Sequence, residues 1–183
     1  QYLHNSNILR KLQILSEYHM FRLFNAPQFN KFDAGIYVTD IHRKLSEPFT
    51  TKKSFIIPPG VDLEYFQPSD SKPNTNSIVF FGDMSYYFNV NSVLYFYERI
   101  FPKIRIEVPD VQLFIIGRNP QPSILKLSAK DKSVIVTGKV RDIRPYVKEA
   151  KVVILPFLLN DGGLKTKALE AMAMGKAIVS TKI

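Results

Sequence analysis

Ser77-Ile78-Val79-Phe80-Phe81-Gly82 is apolar at every position between its serine and its glycine. A strand with one wet face would carry a polar residue at every second place. A short run that is apolar throughout belongs to a strand covered on both faces. The same pattern returns in Val111-Gln112-Leu113-Phe114-Ile115-Ile116-Gly117, in Ser133 to Thr137, in Lys151-Val152-Val153-Ile154-Leu155 and in Ala177 to Thr181. Helical spacing fills the gaps. Residues 90–105 place Val93, Leu94, Phe96, Tyr97 and Ile100 on one pattern, with Pro102 inside it predicting a kink or an early stop. Pro122 to Lys130, Arg141 to Ala150 and Leu164 to Met174 read as three further helices, the last ended by Gly175. Alternation of buried strands with helices predicts an α/β fold, a Rossmann-like doubly wound parallel sheet. Ligands of such sheets bind beyond the carboxyl ends of the strands. The relevant turns are Gly82–Asn89, Gly117–Pro122, Gly138–Asp142 and Pro156–Lys165.

Upstream the chain reads differently. Residues 1–25 space Leu9, Leu12, Tyr18, Phe21 and Phe24 as an amphipathic helix. A short strand is expected around Ile36-Tyr37-Val38, with Asp40 capping a short helix after it. Ser54-Phe55-Ile56-Ile57 reads as another strand, stopped by Pro58-Pro59-Gly60, and residues 66–76, rich in Pro, Ser, Asn and Lys, read as a linker. Gln1 is not a start methionine and the last strand has nothing after it, so a piece of a longer protein is expected.

The chain has 183 residues, 45% of them hydrophobic, enough for a substantial core. It has no cysteine, which excludes disulfide frameworks, Cys-based zinc sites and thiol nucleophiles. It has no apolar run long enough to span a bilayer, no signal-peptide pattern and no N-x-[ST] sequon. His4, His19 and His42 are not brought together by the sequence as a metal site. The net charge of +9 is uneven: residues 1–110 carry 12 Lys/Arg against 11 Asp/Glu, and residues 111–183 carry 13 against 5. A basic half favours an anionic partner, whether nucleic acid, acidic lipid or a phosphorylated small molecule.

The richest turn runs from Pro156 through Asp161-Gly162-Gly163-Leu164-Lys165-Thr166-Lys167 to Glu170 and Gly175. Two glycines before a helix let backbone amides approach an anion, and the helix start adds partial positive charge. Lys165 and Lys167 stand in or beside the first turn, and Lys167 and Glu170 share a face. A cation at the helix start with a carboxylate one turn deeper suits a nucleoside diphosphate: lysine for phosphate, carboxylate for vicinal ribose hydroxyls. The plainer alternative is a solvated Lys167–Glu170 ion pair with little energetic weight. Leu164 before Lys165-Thr166 breaks a P-loop, and Gly82-Asp83-Met84-Ser85 does not supply a dinucleotide fingerprint.

Gly163 to Thr181, with Lys167-Ala-Leu-Glu170-Ala-Met-Ala-Met-Gly-Lys-Ala-Ile-Val-Ser-Thr, resembles the C-terminal donor-binding domain of family 4 (group 1) glycosyltransferases, which have the GT-B fold. Ile57-Pro-Pro-Gly-Val-Asp62 resembles the interdomain connection of that family. Gly82-Asp-Met84-Ser-Tyr-Tyr-Phe-Asn89, Ile115-Ile-Gly117-Arg118-Asn-Pro120, Thr137-Gly138-Lys-Val140-Arg-Asp142 and Val153-Ile-Leu-Pro156 follow in the family's order. The resemblance covers about residues 50–183. It implies three parts: 1–52 as the end of an N-terminal acceptor domain, 53–76 as connection and linker, and 77–183 as an incomplete donor-binding domain.

The resemblance also implies roles. Lys167 and Glu170 would be the catalytic pair, Glu170 holding the ribose hydroxyls and Lys167 neutralising the diphosphate. Gly162 and Gly163 amides, Gly82, Lys165 and Arg118 would assist at the phosphates, and Val140 would flank the base. Arg118 also reads as a solvated loop cation and Val140 as core packing. The family often carries an acidic residue eight positions before Glu170; here Gly162 stands there, with Asp161 beside it as a substitute contact for the donor sugar. Many relatives carry an Arg/Lys pair in the first donor-side loop, where this chain has Asp83, Tyr86, Tyr87 and Phe88. Tyr86 and Tyr87 are read either as lining a cleft or as ordinary packing. The implied activity is a retaining glycosyltransferase that uses a UDP- or GDP-linked sugar and a carbohydrate or lipid-linked hydroxyl acceptor, with no cofactor and no metal, in polysaccharide or glycolipid assembly. The chain alone, lacking most of the acceptor half, is expected to be inactive. A cytoplasmic location with peripheral contact on anionic membrane is expected, and nucleic acid is not an expected partner. The rivals are a nucleotide-sugar epimerase of the same fold and a non-catalytic basic binding module.

Overall fold

The structure is a computed structural model, and it describes residues 8–69, 76–158 and 165–182. The described residues fall into two compact units, one holding 8–59 and the other 60–69, 76–158 and 165–182.

The first unit opens with α1 (Ile8–Met20), continued by a π-helical turn (Phe21–Asn25) and a 3-10 segment (Ala26–Lys31). Strands β1 (Ala34–Tyr37) and β2 (Lys53–Ile56) pair in parallel on either side of α2 (Asp40–Ser46). The cap of α2 corrects the sequence reading. Thr39, extended at φ −144°, is the cap, and its hydroxyl accepts from the His42 amide at 3.2 Å. Asp40 is the first helical residue and pairs instead with Arg43 and Lys44, one turn on. A threonine hydroxyl outside the helix reaches the orphan amide three residues later, whereas a carboxylate inside the first turn faces the basic residues at i+3 and i+4.

The second unit is the doubly wound sheet. Five parallel strands, β3 (Ser77–Phe81), β4 (Gln112–Ile116), β5 (Val134–Gly138), β6 (Val152–Leu155) and β7 (Ala177–Ser180), take the order β5-β4-β3-β6-β7. The continuous apolar runs of β3, β4 and β6 have the reason anticipated, since each of these strands feeds two cores, whereas β5 feeds one and β7 is mostly exposed in the described structure. Ile78 and Phe80 of β3, with Leu113 and Ile115 of β4 and Ile154 of β6, pack on one face. Their partners are α3 (Tyr87–Tyr95), α4 (Phe101–Glu107) and α5 (Pro122–Lys130). Val79, Phe81, Ile116, Val153 and Leu155 pack on the other face against α6 (Arg144–Glu149) and α7 (Thr166–Ala173). All five residues of β3 are buried, Val79 and Phe80 completely.

The single helix expected over 90–105 is three pieces. A π-helical turn at Phe96–Ile100 separates α3 from α4, and Pro102 lies in the first turn of α4. Proline has no amide to donate and clashes with the carbonyl four residues back, so it fits where a helix begins anew. The wider turn just before it absorbs the mismatch.

Chain order runs outward from β3 to β4 and β5, then crosses back to β6 and β7 on the other side. The sheet therefore reverses between β3 and β6, and the crevice outside the carboxyl ends of those two strands is the place where such folds take ligands.

Candidate functional site

Gly82 follows β3 and Phe157 follows β6, so both border that reversal. Two glycines allow the segments that leave β3 and β4 to approach closely. Gly82 (φ +155°) donates its amide to the Ile116 carbonyl at 2.9 Å. A Cβ on Gly117 (φ +154°) would lie 1.6 Å from the Gly82 carbonyl oxygen, an overlap no side chain survives. A Cβ on Gly82 would itself lie 2.7 Å from Lys167 Nζ and 3.0 Å from Asn89 Nδ2. Bare backbone thus makes the space into which Lys167 reaches.

Lys167 enters from the first turn of α7. Its ammonium donates to Asn89 Oδ1 at 3.0 Å and lies over the Phe80 ring, 4.5 Å from the centroid, with the Phe157 ring at 5.5 Å. The aromatic faces are electron-rich and suit a cation, but they carry no solvent. Burial, with the nearby charge of Lys165, lowers the Lys167 pKa to about 8, against a smaller upward pull from Glu170. Lys165 occupies the cap position of α7, its own Nζ 4.9 Å from the Phe157 ring centroid.

Glu170 is half-buried one turn deeper. No Lys167–Glu170 ion pair forms: among the described residues the Glu170 carboxylate has neither a hydrogen bond nor an ion pair. Burial raises its pKa, and Lys167 only partly offsets that rise. The solvated ion pair weighed from the sequence is thus replaced by two separately placed charges. A half-buried carboxylate without donors pays desolvation with no hydrogen bonds in return.

Arg118, at the turn after β4, is exposed and pairs through Nε with Asp83 Oδ2 at 2.8 Å. Asp83 also accepts from the Ser85 amide and hydroxyl, and these donors with Arg118 lower its pKa to about 2. Met84 donates its amide to the Arg118 carbonyl at 2.9 Å, which ties the two loops together. Val140 packs, partly buried, against the α6–α7 core beside Ile143 and Tyr146. Tyr86 and Tyr87 are half-exposed around Phe88, with ring centroids 5.2 and 5.9 Å from it. Asp161, Gly162 and Gly163 lie outside the described residues.

The structure thus brings Gly82, Lys165, Lys167 and Glu170 to the strand reversal, with Arg118 on the adjoining turn. Sequence reading missed the part of Asn89, because its contact with Lys167 joins residues 78 positions apart.

Residues 75–183 match the family described as "Glycosyl transferases group 1". No curated protein matches the chain. Among solved structures, TarM is similar with a TM-score of 0.67 at 16% identity, over 86% of this chain and 31% of that one. Pneumococcal O-GlcNAc transferase GtfA, in complex with UDP and GlcNAc, is similar with a TM-score of 0.67 at 15% identity, over 89% and 33%. Anabaena HepE, in complex with UDP and glucose, reaches a TM-score of 0.59 at 16% identity, over 84% and 46%. At these identities the likeness shows the fold, that of the GT-B glycosyltransferases. The chain spans about a third of the length of the first two. With more than half of its residues matched in the sheet that carries the site, the chain belongs to the group 1 glycosyl transferases.

Proposed function

We propose that this sheet is the donor-binding part of a retaining glycosyltransferase. The enzyme would move a sugar from a UDP- or GDP-linked donor to a hydroxyl of a carbohydrate or lipid-linked acceptor, with neither metal nor cofactor required. The observation that carries the reading is the separation of Lys167 and Glu170 at the strand reversal. The Lys167 ammonium is largely and the Glu170 carboxylate partly withdrawn from solvent, and neither neutralises the other. A nucleoside diphosphate complements both. Two vicinal ribose hydroxyls donate to the Glu170 carboxylate, and a diphosphate oxygen takes the remaining donors of Lys167. UDP in the GtfA and HepE structures supports the class of donor.

In the transfer step the bond between the anomeric carbon and the diphosphate oxygen breaks, and the acceptor oxygen bonds to that carbon on the same face. The acceptor proton leaves with the departing diphosphate. Negative charge grows on the leaving group, and Lys167 at the start of α7 is placed to stabilise it. Lys165 and Arg118 add cationic field, Arg118 by exchanging Asp83 for phosphate. The Gly82 backbone gives the phosphate room, and the Gly162 and Gly163 amides and Asp161 keep the phosphate and donor-sugar roles drawn from the resemblance. Val140 flanks the base. Residues 1–52 belong, on this reading, to an acceptor domain, and 53–76 connect it to the donor domain. The pathway proposed is polysaccharide or glycolipid assembly, on the cytoplasmic side with peripheral contact on anionic lipid. No helix among the described residues is long and apolar enough to cross a membrane.

Thermal unfolding tests the donor reading. UDP or GDP should raise the melting temperature in a concentration-dependent way, since a ligand bound only by the folded state stabilises it by mass action. UMP and GMP, lacking the second phosphate, should do much less. Equal effects of mono- and diphosphates would overturn the reading.

A further inference from the structure

We infer that Asn89 is a positioning residue for the phosphate-binding cation: its neutral amide holds the Lys167 ammonium in place without cancelling its charge. The inference rests on the donor-site reading and deepens it.

Asn89 lies in the first turn of α3 and is 8% exposed. Its amide orientation follows from chemistry. The ammonium of Lys167 can only donate, so Oδ1 faces it at 3.0 Å; the Asp83 carbonyl can only accept, so Nδ2 faces that at 2.9 Å. The side chain is therefore fixed at both ends, one to the loop after β3 and one to α7. Among the described residues Asn89 is the hydrogen-bond partner of Lys167. The other close neighbours of the ammonium are the Phe80 and Phe157 rings. One donor of three is occupied, leaving two for an anion. Among the described residues the charged groups acting on Lys167 are Lys165, at the cap of α7, and Glu170, one turn along that helix.

The choice of amide over carboxylate has a consequence. An aspartate at 89 has nearly the same shape and would also accept from Lys167. It would pair with the cation, remove its net charge and repel phosphate. Leucine keeps the volume and removes the acceptor, leaving the ammonium among rings alone. The two substitutions therefore move the proton equilibrium of Lys167 in opposite directions.

The test is UDP and GDP titration of the chain and its variants from pH 6 to pH 10, with circular dichroism to establish folding. In the parent chain, affinity should fall as Lys167 loses its proton. Asn89→Asp should weaken binding at neutral pH by about ten-fold or more and move the fall to higher pH, by about one unit. Asn89→Leu should weaken binding and move the fall to lower pH. Asn89→Gln, which retains the amide, should recover more of the affinity than Leu. Opposite displacements would not arise from a merely structural disturbance. Should Lys167→Ala abolish binding while Asp and Leu at 89 leave both affinity and its pH course unchanged, the inference fails and the donor site stands. Should the folded parent chain bind neither nucleotide, both fail.

Discussion

Among the described glycines Gly82 and Gly117 bear the hardest constraints, and each answers to a different neighbour. Gly117→Ala drives a methyl into the Gly82 carbonyl, so backbone must move; the expected loss is about 3 kcal/mol or more of stability, read by denaturant unfolding. Gly82→Ala meets the end of a lysine and forces a non-glycine residue to φ +155°, so it should cost stability and also displace Lys167, weakening nucleotide binding. Lys167 itself works against stability. Its pKa is about 8 in the folded chain against an ordinary 10.5, so over that interval the unfolded chain binds more protons and stability rises with pH. Below about 8 the full cost of the buried ammonium is present. Lys167→Met should therefore raise the melting temperature at pH 7, with the difference from the parent shrinking as pH climbs through the interval, while nucleotide binding is lost. Lys167 and Glu170 were legible in sequence because three residues on a helix fix a shared face. Their failure to pair was not legible, since Asn89, arriving from α3, takes the ammonium. Asp40 was read as a cap for its residue type; the extended backbone at Thr39 assigns that duty one place earlier.

Among the elements, β3 should be the most resistant to opening. It is central, hydrogen-bonded on one side to β4 and on the other to β6, and buried along its length. Amide hydrogen exchange should be slowest there and faster in β7, whose residues are mostly exposed in the described structure. Phe80→Ala should cost about 3–5 kcal/mol, because a fully buried aromatic leaves a cavity on the α3–α5 face. It would also remove one of the rings beside Lys167, so any surviving fold should bind nucleotide less well. Strands β3, β4 and β6 were legible because two-sided burial writes a continuous apolar run, whereas the similar run in β7 is mostly exposed in the described structure. The break of the 90–105 helix into α3, a π-helical turn and α4 was legible only as a proline; where the wider turn would fall depends on how Phe96 and Phe101 seat in one core.

At the scale of the molecule, the change of pattern was read after the linker at 66–76, whereas the two compact units divide between Pro59 and Gly60, because the chain joins the sheet unit before its polar stretch. The exposed apolar residues of the first unit, among them Leu23, Phe32 and Ile36, had no such signature, because an amphipathic pattern does not say what covers it. The uneven charge places 13 Lys/Arg against 5 Asp/Glu in residues 111–183, which hold α7 and the Arg118 turn. The central claim is that Lys167 and Glu170 together receive a nucleoside diphosphate. Calorimetric titration of the chain with UDP and with GDP, beside Glu170→Ala, tests it most directly. The account predicts saturable binding of one of the two nucleotides with one site per chain, abolished in the variant although its fold is intact. Undiminished binding by Glu170→Ala, or heat that never saturates with either nucleotide, would contradict it.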